Sequence, residues 1–174
     1  MELVETSKPS VLSIGLKYGL ILGLSSIGIS LLLYLVDFDT IKYSWVLNTI
    51  NVLLTVAAVV LAHKNFKESG NGYMSYGQGL GVAMITILAS MVLATPYTYI
   101  FFNFIDPSMY DAIWEKAAAD MEAQGQSDEA IEVALSWARK LFWPFFIIGA
   151  IFWGFIIGLI VSIFTQKKEP ETAF

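Results

Sequence analysis

Asn48, Asn51 and Thr55 recur three and four residues apart in an otherwise apolar stretch, so a helix would carry them along one face, continued by Ala58 and Ala62. Amides and hydroxyls in that pattern can hydrogen-bond a neighbouring helix or line a path for a polar solute, and interhelical bonding is the commoner use. His63 is the only histidine and sits beside Lys64. A lone histidine without cysteine or clustered acids cannot make an ordinary metal site, and at the end of an apolar run it reads as a polar boundary residue. Gly77-Gln78-Gly79-Leu80-Gly81 is similar to half a nucleotide loop, but it opens an apolar helix with no strand before it, which favours close packing. No GxSxG, HExxH or Walker sequence occurs, and the chain has no cysteine, which removes disulfides, thiolate metal sites and cysteine nucleophiles together. No catalytic, cofactor-binding or metal-binding residue emerges from the sequence.

The elements that must position these residues are four apolar runs without charge, Tyr18–Val36, Tyr43–Ala62, Leu80–Phe102 and Phe142–Phe164. A helix needs about 20 predominantly apolar residues to cross a bilayer. Spans are therefore expected at about 14–36, 43–62, 77–102 and 141–164, joined into one membrane domain over 1–174, with a long connection at 103–140. The fold class is all-α, an integral membrane four-helix bundle. A first run this long, with no basic segment before it, reads as a retained span rather than a cleaved signal. The formal net charge of −5 argues against a nucleic-acid partner, because phosphate binding needs a concentrated basic face.

An even number of spans puts both termini on one side. That side collects Lys8, Lys17, Lys64, Lys67, Lys167 and Lys168, against Lys42, Lys116, Arg139 and Lys140 on the other. The bias points to cytoplasmic termini. Aromatic residues such as Tyr43, Trp45 and Trp143 fall at the expected boundaries, whereas Trp153 lies in mid-span and is expected to pack. No Asp or Glu lies inside any of the four runs. Span number is similar to that of small multidrug transporters, but the membrane-embedded glutamate on which they depend is missing.

The 103–140 connection is helical in pattern. Asp106 can cap a helix that starts at Pro107, and Met109, Ile113, Ala117 and Met121 then recur every four residues among acids. Gly125 interrupts, and Ser127 with Asp128 and Glu129 restarts a helix carrying Ile131, Leu135 and Ala138. The expectation is an extracytoplasmic helical hairpin lying over the bundle. It is either a simple cap or a docking surface.

Small residues four apart mark the faces that approach closely in a membrane, where lipid is as apolar as the helices themselves. The first span has Gly15, Gly19 and Gly23, and the fourth has Ala150, Gly154, Gly158 and Ser162. In the third, Ser75, Gly79 and Ala83 run alongside Gly77 and Gly81, and Pro96 should leave the Val92 carbonyl without its donor.

Before the third span, Tyr73, Ser75, Tyr76 and Gln78 stand in a glycine-rich turn, where Ser75 can cap the helix that follows. The turn is either a simple helix entry or a contact surface. Asn71-Gly72-Tyr73-Met74-Ser75-Tyr76-Gly77-Gln78, then Phe104-Ile105-Asp106-Pro107-Ser108, and an acidic helix containing Met121-Glu122-Ala123-Gln124-Gly125, resemble the domain-of-unknown-function 4199 family. The resemblance spans nearly the whole chain and implies a four-span bacterial inner-membrane protein. It supplies no activity, substrate or catalytic residue.

The sequence thus leads to the expectation of a non-enzymatic accessory or scaffold subunit. Its partners are the lipid bilayer and another membrane protein or a second copy, with no cofactor. The alternative is a small oligomeric channel or transporter with a polar path along Asn48, Asn51 and Thr55.

Overall fold

The computed structural model describes residues 10–169. Five α-helices follow one another: α1 Val11–Leu35, α2 Ser44–Glu68, α3 Tyr76–Ile100, α4 Pro107–Ala123 and α5 Asp128–Thr165. α1, α2, α3 and α5 are each long and apolar enough to cross a membrane. The chain is a multi-pass membrane protein. α1 and α3 run one way and α2 and α5 the other, which leaves two ends. The terminal end holds Ser10, His63 and Thr165, and the loop end holds α4.

Each helix starts where its first N–H groups find an acceptor. Ser10 Oγ accepts from Ser13, Asp106 from Met109 and Ser127 from Ala130, while Pro107 occupies the first position of α4, where no donor is needed. Ser75 and Gln78 form a reciprocal capping box at the start of α3. α2 lacks a side-chain cap, but Asp39 accepts from the Lys42 N–H in the turn before it.

α3 is the centre of the bundle and touches α1, α2 and α5. Its contact with α1 follows a four-by-four register: Gly15 lies against Ile85, Gly19 against Ala89 and Gly23 against Leu93. That register is parallel. A Cβ added at Gly19 would stand 2.5 Å from both the Ala89 Cβ and the Thr86 carbonyl oxygen, so the two backbones meet with no room for a side chain. On its other flank α3 meets α5 antiparallel, with Gly154 against Ile87, Gly158 against Ala83 and Ser162 against Gly79. Ala150 is only half-buried.

α2 is buried only in its terminal half. Its buried residues are Ala58, Val59, Ala62, His63 and Phe66. Ala62 and Phe66 join Ile14, Met74 and Val82, and Val59 joins Ala83 and Val161. None of the first fourteen residues of α2, from Ser44 to Ala57, is buried.

Two features depart from the expectations. The segment after Ser127 is not a separate loop helix: α5 runs unbroken for 38 residues, through Pro144. At 1.5 Å per residue it is about 57 Å long against a hydrocarbon core of about 30 Å, so its first turns extend beyond the membrane. Pro144 is tolerated because a proline costs a helix one donor and a local clash, and the apolar turns on both sides keep their own bonds. α3 continues past Pro96, as the expected span 77–102 requires, and ends in one π-turn, Phe101–Ile105, closed by the Asp106 N–H on the Phe101 carbonyl. Trp153 does not pack into the bundle, being 65 % exposed with its ring edge-on to Phe152 of the same helix at 5.8 Å. Its indole ring is large and amphipathic, and the strip of α5 that approaches α3 is reserved for Gly154 and Gly158.

Candidate functional site

The polar residues fall into three places. The first is the face of α2. Asn48 and Asn51 are exposed and Thr55 half-exposed. The Asn51 amide donates to its own Leu47 carbonyl (3.0 Å) and the Thr55 hydroxyl to Asn51 (2.8 Å), so neither reaches another helix. Among the described residues Asn48 has no side-chain hydrogen bond. This stripe shares its helical face with Ala58 and Ala62, which are buried. The same face is thus packed in the terminal half and uncovered in the loop half.

The second place is the terminal end, where sequence reasoning saw least. His63 is completely buried. Its Nε2 lies 2.8 Å from the Gly79 carbonyl of α3, and its Nδ1 lies 2.6 Å from Thr165 Oγ1 of α5. A carbonyl only accepts, so Nε2 carries the proton and the neutral ring accepts from Thr165 at Nδ1. One imidazole therefore ties three spans together. Lys67 adds a bond to the Thr165 carbonyl (2.9 Å), and Met74 and Lys167 exchange both backbone bonds at 2.9 Å. The nearby Ser162 hydroxyl is buried without a partner. Within the glycine-rich turn, Ser75 and Gln78 spend their polar groups on the cap, Tyr73 lies beneath the Lys167 ammonium at 5.2 Å, and Tyr76 is half-buried. The chain's own tail thus occupies part of the turn that could serve as a helix entry or a contact surface. The signal that could have marked His63 is its spacing from Val59 and Phe66, four residues before and three after, which puts it on the same buried apolar face. Its partners, Gly79 and Thr165, are 16 and 102 residues away.

The third place is a cavity of about 220 Å³ at the loop end, lined by Ser30, Tyr34, Asp37, Asp39, Phe101 and Asp106 among others. Two of its carboxylates are already engaged, Asp39 by the Lys42 N–H and Asp106 by Ser108 and Met109. Among the described residues no cluster of three side chains could hold a metal ion.

The family match decides what these places belong to. The family described as Protein of unknown function (DUF4199) matches residues 17–167. The chain belongs to this family. The match takes in most of α1, all of α2, α3 and α5, the glycine-rich turn, α4 and the His63–Thr165 pair. No curated protein and no solved structure matches the sequence.

Proposed function

We propose that this DUF4199 protein is a non-enzymatic accessory or scaffold subunit of a bacterial inner membrane, with both termini cytoplasmic, that works by associating within the bilayer. The observation that carries this reading is the loop half of α2, which bears two exposed amides and no buried residue. A side-chain amide left in hydrocarbon without a partner costs several kcal/mol, on the order of 2–7 by transfer measurements. Lipid tails offer no hydrogen bond. A protein partner does. The conduit alternative has less support, because a path along α2 would run into the packed Val59, Ala83 and Val161 before reaching the terminal end.

The experiment is mild detergent extraction from native membranes followed by mass spectrometry of what co-purifies. A stoichiometric companion, or a stable multimer of the chain, is the expected result; a lone monomer that carries solute flux in vesicles would replace association with transport. Orientation has its own test, since the chain has no cysteine. Ser127→Cys should react with a membrane-impermeant maleimide added to intact spheroplasts, and Ser69→Cys only after lysis. The reverse labelling would place the termini outside.

A further inference from the structure

We infer that the uncovered face of α2 is a homodimer interface, in which Asn48 and Asn51 pair with the same residues of a second copy. The inference rests on the association reading above and names the partner. The two amides stand about 6 and about 10 Å along the helix from Ser44, below the aromatic ring of Trp45 at the loop end. Their hydrogen-bonding capacity is only partly used. Asn51 keeps its Oδ1 and one N–H free among the described residues, and Asn48 keeps its whole amide. A partner must therefore bring both a donor and an acceptor to each residue, at the same depth.

Two copies inserted the same way round are related by a two-fold axis along the membrane normal. Residues on the uncovered face of α2 then meet their own counterparts at their own depth. An amide is one of the few side chains that satisfies itself in that arrangement, because its Nδ2–H and Oδ1 complement a second amide reciprocally. A hydroxyl spent on its own helix would not, and Thr49 and Thr55 are both spent in that way, on Trp45 and Asn51. The contact has apolar flanks as well, since Trp45 and Val52 are exposed beside the amides. The length of α2 before the packed Val56, twelve residues or about 18 Å, gives a helix pair several turns of contact. The glycine strips of α1 and α5 are not available for this purpose, because α3 already fills them.

The test uses the full chain in native membranes and in dilute proteoliposomes. Asn48→Cys and Asn51→Cys, introduced singly, should form disulfide-linked dimers on mild oxidation, while Val60→Cys, on an exposed face of α2 turned away from the amides, should not. Single-molecule photobleaching of the cysteine-free chain should show two copies per spot. Asn48→Leu with Asn51→Leu should weaken dimerisation by about tenfold or more, the range for two lost interhelical hydrogen bonds. Cross-linking from Val60 as readily as from Asn51 overturns the interface. Capture of a different protein by the Asn51 cysteine overturns the second copy but leaves association standing. Single photobleaching steps with no cross-link to anything overturn both.

Discussion

Gly19→Ala is expected to destabilise the folded bundle by about 2–3 kcal/mol, and Gly19→Leu to prevent its assembly. The added methyl of alanine would sit 2.5 Å from the Thr86 carbonyl oxygen, and a backbone carbonyl in mid-helix cannot step aside. Relief requires α1 to move away from α3 as a body. That movement would also loosen the contacts of Gly15 with Ile85 and Gly23 with Leu93, because one rigid helix carries all three. In lipid there is no compensating hydrophobic gain from squeezing the helices together, so the lost close packing is not recovered. Gly28 is the internal control. It lies in the same helix, nothing stands within 4 Å of a Cβ there, and Gly28→Ala should be neutral or slightly stabilising through helix propensity. Equilibrium unfolding in mixed micelles, or steric trapping in bicelles, reads both variants on one scale. Equal stability of the two alanine variants would mean that α1 and α3 are not held by close backbone approach.

The glycine spacing made that contact legible, and the reason is geometric. Small residues four apart necessarily align on one helix face, and such a face serves close approach whatever its partner. The helix starts at Ser75, Asp106 and Ser127 were legible for a similar reason, since a cap satisfies donors only a few residues away. What the sequence concealed depends on distance along the chain. The pairing of Met74 with Lys167 joins two segments whose side chains give no hint of each other, because the bonds are made by backbone alone. The length of α5 was hidden by Pro144, which looks like a helix start and is instead carried inside the helix. Trp153 misleads in a different way. Mid-span position predicts burial only if the partner helices lie on that side, and sequence does not say on which side they lie. The polar stripe of α2 was visible as a pattern, but its exposure was not, because the pattern is the same whether a helix or nothing lies opposite.

His63→Ala is expected to cost about 3–4 kcal/mol, from two lost buried hydrogen bonds and the cavity left by the ring. The two bonds are not equivalent. Thr165 has one hydroxyl proton and two acceptors within reach, His63 Nδ1 at 2.6 Å and the Val161 carbonyl at 2.8 Å. Without the imidazole that proton turns to Val161, so Thr165 is left satisfied. The Gly79 carbonyl has no such fallback from a side chain, and α3 loses its tie to α2. His63→Gln is the conservative replacement. Its Nε2–H can donate to Gly79 while its Oε1 accepts from Thr165, and it should recover about half of the loss or more. Thr165→Val removes only the Nδ1 bond and should cost about 1–2 kcal/mol, the penalty of a buried acceptor without a donor. A double-mutant cycle between His63→Ala and Thr165→Val isolates the shared term, which should be positive and smaller than the His63 effect itself. The same unfolding assay measures all four proteins. A loss below about 1 kcal/mol for His63→Ala would mean that water replaces the ring at no cost, and that α2, α3 and α5 are held at this end by Phe66, Met74 and the Met74–Lys167 backbone pair instead.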